Sequence, residues 1–223
     1  MLVPADSDVS AEDELSNIFA WSGDNKLALN LLKTKEIVFH RPHPSKYCLP
    51  PPLLGIERVS SVKLLGVYLT ESLSMDEHVR QTIFVCNQRL YLLCQLKRQG
   101  LPLNCLDLVF DSLIISKLLY ASPSWSGYLN AECVSTIQKL LSKSVKWGVT
   151  SKCYQAADMF AVHDEKLFSG MCKWSNHCLH HLLPSKRDTG HSLRHRGHSY
   201  QLVSYNFSCT RCCFIVRMLF DTL

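Results

Sequence analysis

Leu73-Ser-Met-Asp-Glu-His-Val-Arg-Gln-Thr-Ile-Phe-Val-Cys-Asn-Gln-Arg-Leu-Tyr-Leu-Leu-Cys-Gln-Leu-Lys-Arg-Gln-Gly100 is the stretch where the hydrophobic period of the chain changes from two to about 3.6. Val79, Ile83, Cys86, Leu90 and Leu93 recur at alternating steps of four and three, which places them on one face of a helix. Ser74 and Glu77 have capping-box spacing at its start, and Gly100 supplies its stop. After Pro102 the pattern returns at Leu103, Leu106, Phe110, Leu113 and Lys117, widened by Val109 and Ile114. Asn130 caps a third helix through Val134, Ile137, Leu141 and Val145 with Gly148 as its stop, and Leu167, Met171, Trp174 and Cys178 mark a fourth. Short links between such helices favour antiparallel neighbours, so residues 71–183 read as a helical bundle.

Upstream, residues 1–70 read as a small α/β piece. Ser10 caps a helix to Asp24, with Asp13 completing a capping box and Leu15, Ile18 and Phe19 forming a narrow apolar face. Glu36 to Phe39 is a short strand, and five of the nine prolines between Arg41 and Gly55 mark a loop. Glu57–Val59 and Lys63–Leu69 then predict a hairpin turned near Ser60-Ser61. Residues 184–223 read as a polar, basic tail, ending in an apolar element of open type at Phe214–Phe220. The expected class is therefore α+β, in three parts: 1–70, 71–183 and 184–223.

The charge is unevenly spread. Residues 1–70 carry 7 basic and 8 acidic side chains, residues 71–182 carry 11 and 9, and residues 183–223 carry 6 and 2, so +4 of the net +5 sits in the last part. Such a tail suits a phosphate-rich partner or a solvated loop. The longest apolar run, near Leu113–Ala121, is broken by Ser116 and Lys117 and falls short of the roughly 18 residues a membrane span needs. With no basic stretch and apolar core at the N-terminus, an intracellular site, cytoplasm or nucleus, is expected. Eleven irregularly spaced cysteines read as reduced thiols. Cys209-Thr-Arg-Cys212-Cys213 contains a Cys-x-x-Cys pair, but the upstream cluster of Cys172, His177, Cys178, His180 and His181 lies about 30 residues away and offers no clean partner pair, so a structural zinc site is not expected. His163-Asp164 lacks the context of a nucleophilic dyad.

Two segments carry the most specific signal. Leu29-Asn-Leu-Leu-Lys-Thr-Lys-Glu-Ile-Val-Phe39 and Val62-Lys-Leu-Leu-Gly-Val-Tyr-Leu69 resemble the end of the palm in reverse transcriptases of LINE-type (non-LTR) retrotransposons. Asn30, Lys33, Thr34 and Lys35 match the element called motif D, and Leu65-Gly66 matches the primer-grip hairpin. Leu73-Ser-Met-Asp-Glu-His-Val79 resembles the family's Leu-Ser-Trp-x-x-His-Val opening of the thumb, with Met75 in place of tryptophan. Arg89–Leu93, Leu96–Arg98, Gly100, Ser116–Trp125 and Leu193–Tyr200 follow in family order. For Tyr120 and Trp125 core packing is expected rather than base stacking.

The resemblance implies an RNA-directed DNA polymerase acting on an RNA/DNA primer-template. Lys33 would assist at the triphosphate by neutralising charge or giving a proton to the leaving pyrophosphate, and Gly66 would let backbone approach the primer. Lys33, Lys35, Gly66, Lys97, Arg98, Arg194 and Arg196 are the candidate nucleic-acid contacts. The full-length family uses two Mg²⁺ ions held by carboxylates, and the hairpin supplying two of them would precede Met1. Asp6 and Asp8 stand in a turn rather than on such a strand. A truncated chain without a metal site or cofactor of its own, inactive alone, is therefore expected. The alternatives are a non-catalytic nucleic-acid-binding module and a helical interaction module.

Overall fold

The computed structural model describes residues 1–4, 7–40, 49–187, 198–205 and 207–222. It is an α+β chain in two compact units, Met1–Leu73 and Ser74–Leu223.

In the first unit α1 (Ala11–Asp24) begins as the sequence predicts. Ser10 Oγ accepts from Asp13 N at 3.1 Å, and the Asp13 carboxylate accepts from the Ser10 backbone N–H. Three acidic side chains in its first turn face the positive end of the helix dipole. The expected apolar face is only partly covered: Leu15 and Ile18 are half-buried and Phe19 is exposed. The strand predicted at 36–39 is shorter and earlier. β1 (Lys35–Glu36) pairs in parallel with β2 (Glu57–Arg58), Glu36 opposite Arg58. Two residues per strand give little ladder energy, and side chains supply the rest. Arg58 Nε and Nη2 donate to the two Glu36 oxygens at 2.9 and 3.0 Å, and its remaining donors reach the carbonyls of Pro50 and Pro51. This fork holds the Glu36 carboxyl below the usual carboxylate range.

The hairpin also differs from expectation. β3 (Ser61–Leu64) pairs antiparallel with β4 (Val67–Thr70), and the turn is Leu65-Gly66 rather than Ser60-Ser61. Both turn residues have positive φ, 47° and 90°, the backbone that a two-residue hairpin needs to match strand twist.

The second unit is built on α2 (Asp76–Arg98). It starts without the expected Ser74–Glu77 box: Ser74 Oγ accepts from Asp76 N, while the Glu77 carboxylate accepts from Arg80 and Gln81. Gly100, with φ 89°, terminates it. Then α3 (Leu103–Phe110) runs through a π-helical turn (Asp111–Ile115) into α4 (Ser116–Leu119). Leu106, Phe110, Ile114, Ile115 and Leu118 are buried, whereas Leu103 is exposed. Arg89 of α2 donates to the Leu113 carbonyl inside the π turn at 2.5 Å.

Ala121, at φ 52°, turns the chain into α5 (Ser122–Trp125), whose Trp125 is buried with Nε1 donating to the Tyr120 carbonyl. Tyr120, by contrast with the expected core role, is half exposed. A 3₁₀ turn (Ser126–Tyr128) leads to α6 (Ala131–Lys146), capped by Asn130 Oδ1 at 2.7 Å from Cys133 N. Its buried side is Cys133, Ile137, Leu140, Leu141 and Ser144.

α2 packs on both α3 and α6. Arg89 meeting Leu113 makes α2 and α3 antiparallel. The α2/α6 pair is parallel instead: Asn130 and Cys133 meet Asp76 at one end, and Lys97 meets Trp147 at the other. Leu90 and Leu93 are wholly buried in this core, where each contributes roughly 1.5–3 kcal/mol.

α7 (Ala156–Lys173) buries Phe160, Asp164, Phe168 and the predicted Met171, but it ends before Trp174 and Cys178, both of which are exposed. Gln138 of α6 joins α7 to the bundle by accepting from Ala156 N and donating to the Tyr154 carbonyl. The stretch expected as a tail contributes a second core. It holds α8 (Ser208–Cys212) and α9 (Phe214–Asp221), and Phe168, Tyr200, Met218 and Leu219 bury one another, flanked by Leu183, Leu202 and Ile215. The apolar element of open type is thus a helix docked on α7.

Candidate nucleic-acid interface

The candidate residues fall into both units. Asn30 organises its neighbours in the first. Its carbonyl accepts from Lys33 N, Thr34 N and Thr34 Oγ1 at 3.0–3.1 Å, and its side-chain oxygen accepts from Lys33 N at 3.2 Å. This single turn leaves the Lys33 side chain exposed. Lys35 is engaged in an ion pair with Glu57, its partner in the strand register. Gly66 forms the hairpin turn. Arg194 and Arg196 lie outside the described residues.

Lys97 and Arg98 belong to a larger feature of the second unit. Because α2 and α6 run parallel, their C-terminal turns point to the same end of the pair. The last turn of α2 holds Lys97 and Arg98, and that of α6 holds Lys143 and Lys146. Neither turn contains an acidic residue. Lys97 Nζ donates to the Trp147 carbonyl at 2.7 Å, satisfying one of the acceptors that α6 leaves at its end. Lys143 Nζ sits 4.2 Å from the centre of the exposed Trp147 ring and 3.4 Å from Asn87 Oδ1 of α2. The helix dipoles explain why cations collect here. The result is four cations and an indole on one end of the bundle, with most of their N–H donors still directed to solvent.

Sequence reading finds Lys97 and Arg98 and misses Lys143, Lys146 and Trp147. The available signal is Lys139-x-x-x-Lys143-x-x-Lys146, one stripe on the side of α6 away from Ile137 and Leu141. Asp107 lies near this end but is committed, accepting from Thr150 Oγ1, Ser151 N and Ser151 Oγ at 2.6–2.8 Å. These bonds, the Ser151 hydroxyl first, hold its carboxyl below the usual range.

Elsewhere the polar groups serve structure. Among the described residues no set of three or more His, Cys, Asp or Glu side chains could hold a metal ion. His180 Nδ1 bonds the Met171 carbonyl at 2.7 Å, and His177 Nδ1 accepts from Leu179 N. His163 Nδ1 is 2.8 Å from Ser122 Oγ, but that hydroxyl is wholly buried. Asp164 turns away to Arg217, with Nη2 to Oδ2 at 2.6 Å and Ser126 Oγ alongside. Serine, histidine and aspartate therefore make two separate struts rather than a relay. An open groove of ≈ 550 Å³ beside α6 is lined by Ser135, Gln138, Ser142 and Gln155, with Lys139 its one charged side chain.

No known protein family, curated protein or solved structure matches this chain. Among the described residues no helix is long and apolar enough to cross a membrane.

Proposed function

We propose that this chain binds the phosphate backbone of an RNA/DNA primer-template through the basic end of α2 and α6, as a non-catalytic part of a polymerase of the LINE-type reverse-transcriptase kind. The observation that carries the reading is the meeting of Lys97 and Lys143 at Trp147, with Arg98 and Lys146 in the same last turns of α2 and α6. The family-like motifs from Asn30 to Tyr200 support it by their order. In this reading residues 1–70 are palm-like and the helices from α2 onward thumb-like. Lys33 stands ready to assist a catalytic centre whose metal-holding carboxylates match no residue of this sequence, so no Mg²⁺ step is assigned to this chain.

Fluorescence anisotropy with a labelled RNA/DNA primer-template across a salt series tests this. Four phosphate contacts predict a log–log salt slope of about −3, from roughly 0.7–0.9 per contact. K97A, K143A and K146A together should flatten it. Absent or salt-insensitive binding refutes the proposal, and template-dependent primer extension with Mg²⁺ refutes its non-catalytic part. A second reading, an interaction module, is favoured by Trp21, Leu32 and Leu54, which the first unit leaves 60%, 88% and 97% exposed. A clean monomer on size-exclusion chromatography argues against it.

A further inference from the structure

The buried side of α2 is His78, Val79, Thr82, Cys86, Leu90 and Leu93. At about 100° per residue, Arg80, Phe84, Asn87, Tyr91 and Arg98 fall within about 60° of one another, on a side turned away from the buried one. All five are exposed, Phe84 and Tyr91 to 60% and 62%. We infer that this outward face of α2 is a stacking platform for the unpaired bases of single-stranded nucleic acid, with the α2/α6 cations holding the same strand's phosphates. The inference rests on the proposed nucleic-acid function and adds which form of nucleic acid is preferred.

Charge and spacing choose the occupant. A seam for a partner helix carries apolar side chains at nearly every core position. Of the six positions along this line two are rings and one is the partly buried Cys94, an asparagine separates the rings, and arginines stand at both ends. Phe84 and Tyr91 are two helical turns apart, about 10 Å along the axis. That matches about three nucleotide steps of roughly 3.4 Å each. The Lys143 ammonium reaches Asn87, between the two rings, and rests on the Trp147 ring, so a cation stands at the middle of the line. Arg80 is held by Glu77 at 2.7 and 2.9 Å, which offsets its charge. Positive potential therefore rises from Arg80 past Lys143 toward Lys97 and Arg98, and the strand's phosphates run to that end. Aromatic rings bind any base face, so the platform accepts sequence broadly.

The test uses the full chain with labelled oligo-dT and oligo-U against a duplex hairpin of equal charge, at low salt. The single strands should bind at least tenfold more tightly than the duplex. F84A/Y91A should weaken single-strand binding by about tenfold or more per ring while leaving duplex binding within about twofold. Both rings face solvent, so circular dichroism should show the variant folded. If K143A/K146A weakens both ligands but F84A/Y91A leaves single-strand affinity unchanged, the platform is refuted while backbone binding stands. If the wild type binds neither nucleic acid, both readings fall. If F84A/Y91A alters only sedimentation, the face is a protein contact and the inference is overturned.

Discussion

Replacing Arg217 with Met removes the counter-charge from a carboxylate that the fold has taken out of water. Arg217 lies on α9, Asp164 on α7 and Ser126 on the 3₁₀ turn, so one guanidinium joins three elements far apart in sequence. The two charged side chains are 15% and 8% exposed, and Asp164 Oδ1 is buried without a hydrogen-bond partner. Gly127 makes room for the guanidinium: a Cβ there would stand 1.8 Å from Nη1 and 2.2 Å from the Cys212 carbonyl. Methionine fills a similar volume, so the loss is chiefly electrostatic, about 3–5 kcal/mol for a buried pair broken from one side. With a urea slope of about 2 kcal/mol/M, the midpoint should fall by about 2 M.

Burial pushes the Asp164 carboxyl up, against the pull of Arg217 and Ser126. Its folded form thus holds a proton more tightly than its unfolded form. The group's contribution is most favourable below the unfolded pKa and declines as pH rises through the folded one. R217M raises the folded value further, so the deficit is full at neutral pH and shrinks in acid, where both proteins carry a neutral carboxyl. Urea denaturation followed by circular dichroism at neutral and acidic pH measures this. D164N/R217M should lose less than R217M. A loss under about 0.5 kcal/mol, or one equal at both pH values, would refute a buried, charged strut.

His78 gives the opposite pH signature. Burial, with Lys117 adding repulsion, pushes its imidazole down to about 4, and its ring packs edge-on to Trp125 at 4.7 Å. The unfolded chain binds the proton first, so stability is full above about pH 6.5 and lost toward about pH 4, by up to about 3 kcal/mol. H78F should remove that loss, and urea midpoints that fall equally in both proteins would exclude it. Thiol chemistry should divide the cysteines. Burial pushes Cys86 up to about 11, and burial with the Asp76 hydrogen bond pushes Cys133 up to about 12. Brief iodoacetamide treatment of native protein, read by peptide mass spectrometry, should label the exposed Cys153, Cys178, Cys209 and Cys213 and spare those two.

Local signals were legible in the sequence, and long-range ones were not. Ser10 and Asn130 cap where their spacing predicts, because the hydrogen bonds span only three residues. The hairpin was misplaced because Leu65 hides a positive-φ turn beside Gly66, while Ser60-Ser61 has the composition of a turn without being one. The α7 stripe was misread because the helix ends at Lys173, before Trp174 and Cys178, and because one buried position upstream is an aspartate, paired with an arginine 53 residues later. The interface was half legible for the same reason. Lys97 and Arg98 are visible as the basic end of one helix, but only the parallel pairing of α2 and α6 brings Trp147 to Lys97 and Lys143 to Asn87.

The π turn between α3 and α4 bears on how this chain tolerates changes in length. Ser112 and Ser116 each return a hydroxyl bond to the carbonyl four residues earlier, bracing a wide turn of Asp111–Ile115. A π turn holds one residue more than an α turn over about the same rotation, so the extra residue is absorbed there and Leu118 stays on the side that Leu106 and Phe110 share. Removing one residue within the turn would let the helix close regularly and leave the Ala121 corner, and Trp125 between His78 and Phe160, in place. The same deletion in the regular helix α2 would rotate everything after it by about 100°, so the wide turn is a point in these helices where the chain can lose a residue without losing its core.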